Sequence, residues 1–394
     1  MYIEKPFGRN NMNKKLMIGV AALLTALFVF VPLSGAAGAE SADFAKTAKA
    51  AVMLDADTGT VVYEKNAKEH LPIASMVKIM TLCVAFDEIE ARGLSLDTMI
   101  PVSENAASMG GSQAFLDNGS SYRLDELLKS IVVASANDSC VAVAEYLSGS
   151  VDAFVSQMNA KAAELGMTDT VFVNCTGLPK DGQYSCASDV SIMFRRLIEH
   201  EKFFDYAKVW MYDFQHPSGR TTELTNTNKL VRFYDGCDGG KTGYTDAARS
   251  CVTVTAKRGD TRLICAVVGA ENSKTRNKEV SELLNYGFAN YKTEVAVRSG
   301  DAVGEYAVEN GKSGSINVTA AGDVTVFVKS GDKCEISVEP RIDAIKAPVK
   351  AGDVVGEIVV SVNGEVYGRT DAVAASDCAK KGYLDIVDDF IGKW

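Results

Sequence analysis

Residues 51–268 open and close on strand-type sequence and carry helical periodicity between, an order that few folds satisfy. Ala51-Val52-Met53-Leu54, a turn at Asp57-Thr58-Gly59 and Val61-Val62-Tyr63 read as a β-hairpin. Much later, residues 250–257 and 262–268 read as two further strands around a Gly259-Asp260 turn. In between, apolar residues at 76, 79, 80, 82, 83, 86 and 89 mark a helix over 74–92. Similar patterns cover 124–133, 137–147, 151–165 and 188–199, and a last helix over 273–288 closes the unit. Strands supplied from both ends of a segment pair when the ends meet. The expected class is therefore α+β, an antiparallel sheet with helices packed on it.

From about Tyr291 the texture changes. Ser315-Ile316-Asn317-Val318, the run 324–328, the run 356–360 and Val366-Tyr367 alternate in polarity and are cut by glycine-rich turns. Such spacing predicts a small all-β sandwich over 291–375. Residues 376–394 form an amphipathic tail: Tyr383, Val387, Phe390, Ile391 and Trp394 share one helical face, and Asp385, Asp388 and Asp389 crowd the other. Contact of this helix with a membrane surface is one expectation; docking on the β-domain is the other.

The opposite end reads as a leader. Lys14 and Lys15 precede an uncharged run of 16 residues from Leu16 to Val31, and Ala37-Gly38-Ala39 offers a small-residue cleavage site. A signal peptide over 1–39 is expected, rather than an uncleaved anchor, because a spanning helix needs about 20 apolar residues. The expected domain of 40–290 then begins at Glu40, and the protein is expected outside the cytoplasm, at the cell wall or on the outer face of the membrane. The leader holds Lys5, Arg9, Lys14 and Lys15 against Glu4. Its removal takes the balance from 41 basic and 51 acidic residues to 37 and 50. A chain this acidic gains nothing from counterion release, so nucleic acid is not an expected partner. The nine cysteines (83, 140, 175, 186, 237, 251, 265, 334 and 378) lack Cys-x-x-Cys spacing and sit mostly in apolar runs. They read as small buried hydrophobes.

Three short strings carry the chemistry. Ser75-Met76-Val77-Lys78 places a hydroxyl and an amine one turn apart on the predicted helix, where they share a face. Serine becomes a nucleophile only when a base takes its proton, and lysine serves once burial or a second cation lowers its pKa. Lys241 is the candidate second cation. Ser135-Ala136-Asn137 is one of four Ser-x-Asn strings, but it alone lies between the other motifs, follows an apolar run and starts a helical pattern. There Ser135 can relay a proton and Asn137 can bond a substrate amide; the plain alternative for both is a helix N-cap. Lys241-Thr242-Gly243 opens a β-run behind Gly239-Gly240. Its lysine and threonine can hold a carboxylate, and Gly243 lets a substrate backbone lie close. The N–H groups of Tyr244 and Ser75 are the candidate oxyanion donors. His70, His200 and His216 show no His-x-x-x-His spacing and no Gly-x-Ser-x-Gly elbow occurs. No metal and no cofactor are expected.

On these residues the chain resembles the D-alanyl-D-alanine carboxypeptidases, the low-molecular-mass penicillin-binding proteins of serine peptidase family S11. The segment from Pro72 to Lys78 resembles the family's nucleophile motif, Ser135-Ala136-Asn137-Asp138 its second, and the segment from Asp238 to Thr245 its third. Gly177-Leu178-Pro179 with Gln183-Tyr184-Ser185 resembles a loop that follows the helical region. The resemblance implies a β-lactamase/transpeptidase-like first domain. It makes Ser75 the nucleophile, Lys78 the general base, Lys241 an electrostatic partner and Arg276 a residue near the substrate's terminal carboxylate. Tyr244 stands where some members have histidine, and Arg249 where some have glycine. The implied substrate is the pentapeptide stem of peptidoglycan, with β-lactams as covalent inhibitors. Two alternatives differ in class. A β-lactamase of the same fold needs a glutamate-activated water, and the run from Glu164 to Thr168 does not resemble the Glu-x-x-Leu-Asn signature. A non-catalytic wall-binding scaffold would have no reason to keep all three motifs.

Overall fold

The computed structural model describes residues 44–385 and residue 387. The leader, and Phe390, Ile391 and Trp394 of the tail, lie outside the described residues. Five strands form the central antiparallel sheet, in the order Val61–Lys65, Ala50–Asp55, Thr261–Ala270, Arg249–Arg258, Cys237–Thr245. Strands from the two ends of the segment do pair: Ala50–Asp55 runs beside Thr261–Ala270, with Val52 opposite Ala266.

Alternation then sorts the sheet's side chains onto two faces. Val252, Val254, Leu263, Cys265 and Val267 pack with Val280, Leu283 and Leu284 of the helix Ser273–Asn290. Cys251, Ile264, Ala266 and Val268 point the other way, into a larger core built by the helical middle of the chain. At its centre lies the helix Lys78–Arg92, buried along most of its circumference by Ile79, Met80, Leu82, Cys83, Val84 and Phe86. Each such side chain, fully buried, contributes about 1.5–3 kcal/mol. Helices Leu124–Val133, Asn137–Ser148, Val151–Glu164 and Ala187–Leu197 surround it.

Two features depart from the sequence reading. The predicted helix over 74–92 begins with a 3-10 turn, Ala74–Val77, and is α-helical only from Lys78. A hairpin, Met211–Gln215 with Thr221–Thr225, was not expected; its mixed polar and aromatic residues carry no clean period.

The second domain follows without a linker, since the helix ends at Asn290 and a strand starts at Tyr291. Tyr291–Val297 pairs with Val324–Lys329, and a six-stranded sheet covers the pair across a core of Val318, Val326, Ile358 and Val360. It is all-β, as its turn spacing predicts. Phe327 of this domain leaves that core and joins the apolar cluster beneath the first domain's sheet.

Candidate active site

The 3-10 turn explains how Ser75 is presented. Ala74 takes φ +47°, a left-handed conformation that costs an alanine about 1–2 kcal/mol, and so turns the chain sharply before the helix. Gly177 packs against this kink: a Cβ there would fall 2.1 Å from the Ala74 carbonyl oxygen. Lys78, fully buried, places its Nζ 3.0 Å from Ser75 Oγ and donates to the carbonyl of Thr176 at 2.5 Å. Burial pushes the Lys78 amine below the ordinary lysine range.

The second motif supplies the facing wall. Ser135 adopts φ +64°, and the helix that follows is capped by Ala136 without a side-chain bond. Ser135 and Asn137 are therefore free of the capping role that was their plain alternative. Ser135 Oγ accepts from Lys241 Nζ at 2.8 Å. Asn137 donates its Nδ2 to the Gly110 carbonyl at 2.7 Å, while its buried Oδ1 has no protein partner.

Lys-Thr-Gly lies within the strand Cys237–Thr245 rather than at its start. Lys241 and Gly243, two residues apart, share the face that looks into the helical region. Lys241 is 1 % exposed, and its pKa is driven well down, first by burial and then by the charge of Lys78 nearby. Gly243 is the point where the strand meets the Ser75 backbone, since a Cβ there would lie 3.1 Å from Ser75 N and 2.6 Å from the Ile73 carbonyl oxygen. Thr242 bonds Thr227 through their hydroxyls at 2.9 Å. Tyr244 is exposed, its hydroxyl on Asp246. Arg276 is buried behind the strand next to Lys-Thr-Gly, donating to the Cys251 carbonyl at 3.1 Å; burial pushes its pKa down to about 10.

The three motifs thus converge on one site: Ser75 with Lys78, Ser135 with Lys241, and Gly243 against the Ser75 amide. A second Ser-x-x-Lys, from Ser330 to Lys333, falls in an exposed turn and has no such setting. Glu164 ends its helix on the surface, paired with Lys161. Thr176, Thr227 and Gly110 escaped the sequence reading, because Thr176 and Gly110 act through carbonyls that every residue owns.

Residues 36–272 match peptidase S11, D-alanyl-D-alanine carboxypeptidase. The chain belongs to this family. Residues 291–380 match the C-terminal domain of penicillin-binding protein 5. Among S11 relatives, D-alanyl-D-alanine carboxypeptidase DacF of Bacillus subtilis is 37% identical over 96% of this chain and 97% of its own. DacC of Escherichia coli is 31% identical over 95% of each. The crystal structure of PBP3 from Streptococcus pneumoniae superposes with a TM-score of 0.71 at 28% identity, over 84% of this chain and 99% of that one. Penicillin-binding protein 5 from Haemophilus influenzae gives 0.68 at 26%, over 87% and 100%.

Proposed function

We propose that this protein, a serine-type D-alanyl-D-alanine carboxypeptidase by family, is exported and trims the terminal D-alanine from peptidoglycan pentapeptide stems through an acyl-enzyme on Ser75. One observation carries the assignment of the nucleophile: Lys78 Nζ, buried and 3.0 Å from Ser75 Oγ. An amine with one hydrogen committed to the Thr176 carbonyl can turn its lone pair to the serine.

In the proposed sequence, neutral Lys78 takes the Ser75 proton as Oγ attacks the carbonyl carbon of the penultimate D-alanine. The oxyanion forms against the N–H groups of Ser75 and Tyr244. Ser135, held by Lys241, passes its proton to the departing amine nitrogen and is resupplied with the proton Lys78 took from Ser75, so the peptide C–N bond breaks, D-alanine leaves and Lys78 is neutral again. Asn137 bonds the stem amide, and Lys241, Thr242 and Arg276 supply positive potential and donors towards the terminal carboxylate. Water then attacks the Ser75 ester, with neutral Lys78 taking its proton and passing it to Ser75 Oγ as the ester bond breaks, and the shortened stem departs. A β-lactam acylates the same oxygen, its ring amide standing in for the scissile one. The site must meet its substrate outside the cytoplasm, which the apolar leader supports. Membrane contact by the C-terminal helix belongs to the same proposal and rests on the tail's spacing alone.

The test is a labelled penicillin with mass analysis of the Ser75 peptide, beside D-alanine release from a diacyl peptide ending in D-Ala-D-Ala. A long-lived adduct on Ser75 and release of D-alanine, both absent in Ser75→Ala, are expected. No adduct on that peptide would sink the proposal, and rapid turnover of the adduct would make the enzyme a β-lactamase instead.

A further inference from the structure

The hairpin Met211–Gln215/Thr221–Thr225 leads at its base into a bond with the third motif and bonds at its tip the loop that frames the second, although neither of its strands belongs to the central sheet. At its base, the Asn226 amide donates to the Trp210 carbonyl, and the next residue, Thr227, accepts from Thr242 of Lys-Thr-Gly. At its tip, Arg220 reaches the connection that runs from the helix Glu104–Ala107 to the strand Ser121–Arg123. A connection this long without regular structure is uncommon unless it serves a function.

That connection frames the second motif. Gly110 O accepts from Asn137 Nδ2 at 2.7 Å, and Ser112 O accepts from the Asn137 amide at 2.7 Å. The amides of Ala114 and Leu116 both donate to buried Asp138, at 3.0 and 3.1 Å. The Gly110 carbonyl fixes which way the Asn137 side-chain amide faces. With one Nδ2 hydrogen committed there, Oδ1 and the second hydrogen are left for the site. Orientation of a site residue is thus set by a loop, and the loop needs its own restraint, because Phe115 within it is held at φ +63° and half exposed.

The hairpin tip provides that restraint. Arg220 Nη2 donates to Asp117 Oδ1 at 2.8 Å and to the Phe115 carbonyl at 2.5 Å. Asp117 Oδ2 accepts from Ser218 at 2.9 Å, and the Asp117 amide donates to Tyr122 OH at 3.0 Å. The bonds from Arg220 and Ser218 hold the Asp117 carboxyl below the usual range.

We propose that Arg220 and Asp117 are a positioning pair for catalysis: the hairpin tip clamps the 110–117 loop, and through it holds Asn137 in the orientation the substrate amide requires. Neither residue touches substrate. The inference rests on the carboxypeptidase reading above.

The test compares wild type, Arg220→Ala, Asp117→Ala, the double variant and Arg220→Lys. It reads kcat and KM for D-alanine release, the acylation rate with a fluorescent penicillin, and Tm. Both single alanine variants are expected to lose about tenfold or more in acylation, seen as a lower kcat rather than a higher KM. Their Tm should move by about 2 °C or less, because a partly exposed ion pair adds little to global stability. The double variant should be no worse than either single one, and Arg220→Lys should recover part of the rate. Wild-type rates in both single variants, additive losses in the double, or a rate loss matched by collapse of Tm would each overturn the pair while leaving the carboxypeptidase reading intact. A wild type that neither binds penicillin nor releases D-alanine would overturn both.

Discussion

Lys241 holds its amine between the Ser135 hydroxyl and the Thr242 carbonyl, at 2.8 and 3.2 Å, with no carboxylate among the described residues bonded to it. A buried lysine so placed keeps its proton poorly. Unfolding returns it to water and to a pKa near 10.5, so over the window below that value the unfolded chain binds more protons than the folded one. Stability from this residue therefore rises with pH, is fully present above about 10.5, and is lost progressively as pH falls towards the lowered folded value. Lys241→Met removes the titration. The Tm of the variant minus that of wild type should become more positive on going from pH 10 to pH 7, by about 2 °C or more, while penicillin acylation is lost. Paired thermal melts check this, and a pH-independent difference would refute it. The sequence exposed this residue because Lys-Thr-Gly stands behind Asp238-Gly239-Gly240 and follows the other two motifs in order. It could not expose Thr176 or Gly110, whose contribution is a carbonyl aimed by the fold.

Elements were legible in proportion to their period. The helices over 124–133 and 273–288 were found within two residues of Leu124–Val133 and Ser273–Asn290, because each packs one clear apolar face. The nucleophile segment was misread at its first turn, where tertiary packing overrides local preference: the left-handed Ala74 and the 3-10 turn are stabilised by neighbours far along the chain. Gly177 is the neighbour that matters most. It has φ +80°, and no side chain fits between it and Ala74. Gly177→Ala must push the Ala74 carbonyl away and with it the Ser75 amide, the proposed oxyanion donor. A loss of about 1–3 kcal/mol in stability is expected from strain and overpacking. The acylation rate should fall by about a hundredfold, since displacement of the reacting geometry by an ångström has that effect. Denaturant melts and stopped-flow acylation measure the two, and near-normal acylation would show that the kink does not present Ser75.

On the scale of the whole molecule, the change of texture at Tyr291 announced a second domain but not how it is joined to the first. The joint is a shared core. Phe327, 7 % exposed, stacks on Tyr291 with ring centroids 5.3 Å apart and sits in the cluster containing Leu263, Leu283 and Leu284. The Thr293 amide donates to Thr261 Oγ1 at 2.7 Å, and the Ser330 amide to the Asn290 carbonyl at 2.7 Å. The β-domain thus supplies an aromatic side chain to the layer under the catalytic sheet, on the face opposite the helical core that receives Lys241. This arrangement predicts that the two domains melt together. In the full chain, Phe327→Ala should cost about 2–4 kcal/mol, the transfer and cavity cost of a large buried ring at a domain edge. A drop of about 3–5 °C in a single calorimetric transition is expected. Acylation at 25 °C should stay close to wild type, because the lost ring lies under the sheet and away from Ser75. Two separate transitions, with only the weaker one shifted, would show instead that the β-domain is a passenger and that the catalytic sheet is stable without it.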